Sequence, residues 1–162
     1  MSVDADLYVT DFIGWTERQA LLLRAAAARR ADAAAAADEA PDWTHLAEEV
    51  ESLGKSYRRA LASRVGTVIE HLLQLELSPA HELRSGWIDT IARARDDMQG
   101  WLANEPGLTR RLPEIVAEQM PWTARLVAEL LRAAGEPAEG VAARLQAGGY
   151  TVEQIIGDWL PP

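Results

Sequence analysis

The sequence predicts an all-α protein, on two observations. From Trp43 to Leu75 the large apolar residues Trp43, Leu46, Val50, Leu53, Tyr57, Leu61, Val65, Val68, Leu72 and Leu75 are separated only by threes and fours. That spacing returns to one side of a 3.6-residue turn for about ten turns, and it calls for a seam buried along one helix face. Second, no segment alternates apolar and polar residues over the length of a strand. A chain of 162 residues fits one domain and can bury roughly 70% of its unfolded surface. The expected architecture is a single-domain helical bundle over residues 1–162, with about five main helices and a short C-terminal helix closing one end.

Each element follows from local chemistry. Helix one starts near Asp6 or Thr10, either of which can cap, and runs through Phe12, Trp15, Gln19, Leu22, Leu23 and Ala26. An alanine tract, Ala33 to Ala37, either extends that helix or frays, because alanine has high propensity but little to pack. Pro41 punctuates the chain, and Asp42 is placed to cap the seam helix. In that helix the acids Glu48, Glu49 and Glu51 precede the bases Lys55, Arg58, Arg59 and Arg64, the order that the helix dipole favours. Glu51 and Lys55 form a well-oriented i, i+4 pair.

Length sets a problem for this helix. Residues 43–77 would span roughly 52 Å, against a diameter of about 40 Å for a compact globule of this size. Either the helix bends or breaks at Gly54 or the molecule is elongated, and two stacked segments with a kink at Gly54 are the favoured solution.

Beyond Leu77-Ser78-Pro79, Ser85 can cap a helix that carries Trp87, Ile88, Ile91, Ala94, Met98, Trp101 and Leu102. Asn104-Glu105-Pro106-Gly107 is a turn. A further stretch with Leu112, Ile115, Val116, Met120, Val127, Leu130 and Leu131 is expected to kink or restart at Pro121, which lacks an amide donor. Gly135-Glu136-Pro137 stops it, a short helix covers Val141 to Gln146, and Gly148-Gly149 turns the chain. Thr151 and Gln154 have capping-box spacing ahead of a one- or two-turn helix through Ile155 and Ile156.

Composition narrows the function. The net charge of −9 and pI of about 4.8 give a surface that repels phosphate backbones, so no nucleic-acid partner is expected. The basic clusters Arg29-Arg30, Lys55/Arg58/Arg59 and Arg110-Arg111 are short and read as solvated helix faces. Without cysteine there is no disulfide, thiolate metal site or cysteine nucleophile. The first residues have neither a basic n-region nor an apolar h-region, so no signal peptide is expected. No apolar run approaches the ~20 residues that span a bilayer, and no membrane partner is expected. The chain reads as a soluble, bacterial-type cytosolic (cytoplasmic) protein. It contains no Gly-x-Ser-x-Gly, P-loop or dinucleotide motif, and no cofactor is expected.

Several motifs are shared with a known family. Tyr8-x-x-Asp11-Phe12-x-x-Trp15, the run Asp42-Trp43-x-x-Leu46-Ala47-Glu48-Glu49-Val50-Glu51-Ser52-Leu53-Gly54, and His71-Leu72-Leu73 with Pro79 resemble the bacterial domain-of-unknown-function family number 29. So do Arg84-Ser85-x-Trp87-x-x-Thr90-Ile91, Pro106-Gly107-Leu108 and the tail Tyr150-Thr151-Val152-Glu153-Gln154-Ile155-Ile156. The chain departs from the pattern at the alanine tract before Pro41 and at Gly140 to Gly149, both peripheral. The resemblance implies an all-helical fold and supplies no reaction.

Polar residues beside the seam are the most specific functional lead. Glu49, Arg64 and His71 fall on its flank, and Arg64 and His71 lie two turns apart on one side. If the seam is buried, these groups must find partners. They form a candidate polar pocket to which Arg84, after Pro79, could contribute. The plainer reading is a set of satisfied ion pairs and a core-edge histidine. A carboxylate and an imidazole are half a metal site, and there is no Glu-x-x-His pair as in di-iron bundles. Trp15 and Trp159 with Leu160 would make a sticky patch if exposed. The leading expectation is a non-enzymatic protein-interaction module that self-associates through an apolar helix face. The alternatives are a small-ligand- or metal-binding bundle with a pocket at Glu49/Arg64/His71, and an acidic partner that neutralises a basic protein.

Overall fold

The computed structural model describes residues 3–32 and 41–162. Its elements are α1 (Val3–Thr10), α2 (Phe12–Asp32), α3 (Trp43–Leu77), a single 3-10 turn (His81–Leu83), α4 (Arg84–Asn104), α5 (Pro106–Ala133), α6 (Glu139–Gln146) and α7 (Val152–Ile156). The fold is all-α, with no strand among the described residues. The alanine tract 33–37 lies outside those residues. Among the described residues no helix is long and apolar enough to cross a membrane. The chain falls into two compact units: Met1–Ala60 with Glu105–Leu108, and Leu61–Asn104 with Thr109–Pro162.

In the first unit, the expected opening helix is two helices. Asp11 stands between them and caps α2: its Oδ1 accepts from the Gly14 N–H at 2.9 Å, and its carbonyl accepts from Trp15 N–H. Asp42 caps α3 as expected, accepting from His45 N–H at 3.1 Å. Helices α2 and α3 run antiparallel, since Phe12 meets the Tyr57 ring while Arg24 pairs with Glu51.

The buried face of this half of α3 is not the large-residue seam. Ala47 and Gly54 are buried, whereas Leu46, Leu53 and Tyr57 are 44%, 51% and 46% exposed. Each of the two leucines immediately precedes one of the small residues, so the exposed row lies about 100° round the helix from the buried one. The cause is close packing. A Cβ at Gly54 would overlap Thr16 Oγ1 on α2, and Thr16 is itself fully buried with that hydroxyl donating to the Ile13 carbonyl at 2.7 Å. Helix α3 therefore passes through Gly54 unbroken, correcting the expected break. The intrinsic cost of a mid-helix glycine, about 1 kcal/mol, is offset by the contact it permits.

In the second unit the seam is buried as expected. Leu61, Val65, Val68, Ile69, Leu72, Leu73 and Leu75 of α3 are at most 2% exposed. Helix α4 contributes Ile91, Ala94 and Met98, and α5 contributes Leu112, Ile115, Val116, Met120, Ala124, Val127 and Leu131. Ser85 is not the cap of α4, which begins at Arg84 directly after the 3-10 turn. Nor does α5 restart at Pro121: it is one helix containing Pro113 and Pro121. Both prolines are exposed, as are Thr109 and Ala117, whose carbonyls lose their i+4 donors and can be hydrated instead. Gly148 and Gly149 turn the chain with φ of 97° and 71°, the left-handed region that favours glycine. Thr151 and Gln154 form the reciprocal capping box ahead of α7.

Replacing Gly54 tests the close approach. Gly54→Val is expected to destabilise the chain by about 1–3 kcal/mol through overpacking, read as a lower urea midpoint. Gly54→Ala should cost less in a Thr16→Ala background than alone, a non-additivity that a double-mutant cycle measures.

Candidate functional site

Each residue of the expected polar pocket has a place and a local explanation. Glu49 is exposed on α3. It belongs to the first unit, whereas Arg64, His71 and Arg84 belong to the second. Arg64 Nε lies 2.8 Å from Asp97 Oδ2 on α4, an ion pair with both side chains 43% exposed. His71 Nδ1 contacts Gln74 Oε1 of its own helix at 2.6 Å. Arg84 donates to the Leu75 carbonyl at 2.6 Å, satisfying one of the last acceptors of α3 as a cation at a helix C-terminus does. Of the four, Arg64 alone lines an open cleft of about 400 Å³, shared with Thr67, Thr90, Arg93, Asp96 and Asp97. Its two guanidiniums face two carboxylates, and its threonine hydroxyls donate to their own helices. No group of three His, Asp or Glu side chains suited to a metal occurs among the described residues.

The polar residues that organise the second unit lie elsewhere. Arg95 is 7% exposed, and its guanidinium donates to the carbonyls of Ile155 (3.0 Å), Gln154 (2.7 Å) and Trp159 (2.7 Å). Burial lowers its pKa from the usual guanidinium value, and Asp158 acts in the opposite direction. Glu76 takes Arg144 through both carboxylate oxygens and accepts from the Tyr150 hydroxyl at 2.7 Å. The Arg144 guanidinium also lies 5.0 Å from the centre of the Tyr150 ring. Burial first, and then the Glu76 carboxylate, push the Tyr150 phenol well above its ordinary pKa. Together Glu76 and Arg95 fasten the segment from α6 to Trp159 onto α3 and α4.

These residues carry a sequence signal that periodicity could have shown. Arg95 sits between Ile91 and Met98 on the apolar stripe of α4, and Glu76 follows Leu72 by four on the seam. A charged residue in phase with a buried stripe must find partners.

The first unit carries a different surface. Tyr8, Phe12 and Trp15 pack ring to ring at 4.8–5.7 Å, and Phe12 meets Tyr57 edge-on at 5.6 Å. Glu105 ties this cluster to the start of α5, accepting from Phe12 N–H at 3.0 Å and Gly107 N–H at 3.1 Å. Tyr8 is 53% exposed, and Trp15 is half-buried, as is Trp159, which packs against Tyr150. The α2–α3 pair thus has two edges: an ionic one with Arg24, Glu51 and Lys55, and an apolar one running from the aromatic cluster to Leu53 and Leu46.

The family signatures map onto both features. The model described as "Domain of unknown function DUF29" matches residues 7–155. The chain belongs to the DUF29 family. No curated protein and no solved structure matches it. Of the motifs that carried the resemblance, Tyr8-to-Trp15, Asp42-to-Gly54 and Pro106-Gly107-Leu108 fall in the first unit of this DUF29 chain, and Tyr150-to-Ile156 is the fastened tail.

Two measurements check these assignments. Arg95→Met leaves three carbonyls without their donor and is expected to cost about 2–4 kcal/mol, with faster amide exchange from Val152 to Trp159 than in wild type. At the start of α3, the Asp42 carboxylate 2.5 Å from His45 Nδ1 raises the imidazole pKa above 6.5, and the hydrogen bonds from His45 lower the carboxyl below 3.8. The imidazolium's contribution is therefore full below pH 6.5 and fades as pH rises through the raised value; the carboxylate's is full above pH 3.8 and fades on acidification. In an NMR titration Asp42→Asn should return His45 toward 6.5.

Proposed function

We propose that this DUF29 protein is a non-enzymatic, cytoplasmic protein-interaction module that self-associates through the apolar edge of α2 and α3. One observation carries the reading: Leu46, Leu53 and Tyr57 stand on one face of α3 and are each close to half exposed, while Ala47 and Gly54 beside them are buried. Helical residues at seam spacing normally turn inward. Here the large ones turn outward along a continuous row that joins an aromatic cluster. The exposed parts of Tyr8, Leu22, Leu46, Leu53 and Tyr57 come to on the order of 500 Å², within the range of the largest apolar patch on a typical monomer, which is often functional. Aromatic rings are the side chains that contribute most at such interfaces.

The charge distribution supports the same reading. A protein of net charge −9 tends to keep copies apart, but the ion-paired residues Arg24, Glu51 and Lys55 lie on the opposite edge. Two copies meeting at the apolar edge bring few carboxylates together.

Sedimentation velocity from about 1 to about 100 μM, a range that reaches weak encounters, tests the proposal. The s-value is expected to rise with concentration in wild type and to stay at the monomer value in Leu53→Glu/Tyr57→Glu with helicity unchanged. A wild type that is monomeric throughout overturns it.

A further inference from the structure

Resting on that reading, we infer that the occupant of the apolar edge is a second copy laid antiparallel, with a two-fold axis passing at Leu53. On the side of α3 that carries the exposed leucines, Leu46, Glu49, Leu53, Ser56, Tyr57 and Ala60 are all exposed. Leu53 is their midpoint. Glu49 stands four residues before it and Tyr57 four after, Leu46 seven before and Ala60 seven after. An antiparallel two-fold at Leu53 therefore sets Leu53 on Leu53 of the second copy, Glu49 on the second copy's Tyr57, and Leu46 on the second copy's Ala60.

Each pairing is chemically favourable. Glu49 is the acid on this face, and the phenol of Tyr57 is a donor that a carboxylate accepts from. A large leucine meets a small alanine at either end. The same logic extends to α2, where the bulky Tyr8–Phe12–Trp15–Tyr57 end would face the lean end that carries Ala26 and Ala27. A parallel pairing fails on these counts: it stacks Glu49 on Glu49, sets aromatic cluster on aromatic cluster, and leaves the alanine ends apart. Isologous contacts of this kind use one patch twice and close after two copies. The half-buried Phe12, Trp15, Gln19 and Val50 surround the exposed row and bring the face toward the roughly 800 Å² per partner of a stable interface.

The chain has no cysteine, so an introduced thiol is the only one and reports its neighbour. Under mild oxidation at about 100 μM, Leu53→Cys is expected to cross-link to itself, because residues on the axis come within disulfide reach. Leu46→Cys mixed with Ala60→Cys should give the mixed dimer, with Leu46→Cys alone no better than Asp89→Cys, a collision control in the second unit. Tyr57→Phe removes the hydrogen bond twice per dimer and should weaken dimerisation about thirtyfold. A Leu46→Cys homodimer, or a wild type that dimerises by sedimentation without the Leu53→Cys cross-link, overturns the antiparallel arrangement and leaves self-association standing. A monomeric wild type removes both.

Discussion

The close approach of α2 to α3 is the contact on which the character of the first unit depends. Thr16 and Gly54 leave no room for a side chain between the two backbones. Once small residues form the seam, the large ones at neighbouring positions have nowhere to go but out. The same helix, a few turns later, carries Leu61, Val65, Val68 and Leu72 fully inward. A single periodic pattern therefore serves two purposes along its length, core in one half and surface in the other. What separates them is what packs against each half, Thr16 of α2 at Gly54 in one and the apolar stripes of α4 and α5 in the other, not the spacing of the apolar row.

Most of the architecture was legible in the sequence because it rests on local rules. The all-α class, the long helix, the Asp42 cap and the Thr151/Gln154 box follow from periodicity and hydrogen-bonding chemistry within a few residues. The readings that needed correction depend on distant partners. A break at Gly54 was expected from helix length and glycine's propensity, both blind to Thr16. A kink or restart at Pro121 was expected from the missing donor, but Ala117, whose carbonyl is freed, is exposed and the helix continues. The division of the first helix at Asp11 involves a carboxylate capping one helix near another, Glu105, which serves the start of α5.

The candidate site was less legible. Glu49, Arg64, His71 and Arg84 were selected because they flank the seam, yet a flank is where solvent, a neighbouring helix or the side chain's own turn can each satisfy a polar group. Arg64 found Asp97, His71 found Gln74, and Arg84 found a helix-terminal carbonyl. Arg95, which is buried, and Glu76, whose side chain is 25% exposed, stand in phase with the apolar stripes and hold the hydrogen bonds to the distant tail. A polar residue in phase with the stripe was a better guide than one beside it. The exposed row was in plain view as a pattern, but its direction was set by Ala47 and Gly54.

The fastening of the tail has a bearing on how the chain is made. Arg95 reaches three carbonyls that lie about sixty positions later, and these emerge from the ribosome only several seconds after it does. Until then its guanidinium has none of these three acceptors, and the second unit lacks the buried Ile155. The second unit thus gains its last buried hydrogen bonds only when the segment from Gln154 to Trp159 has been made.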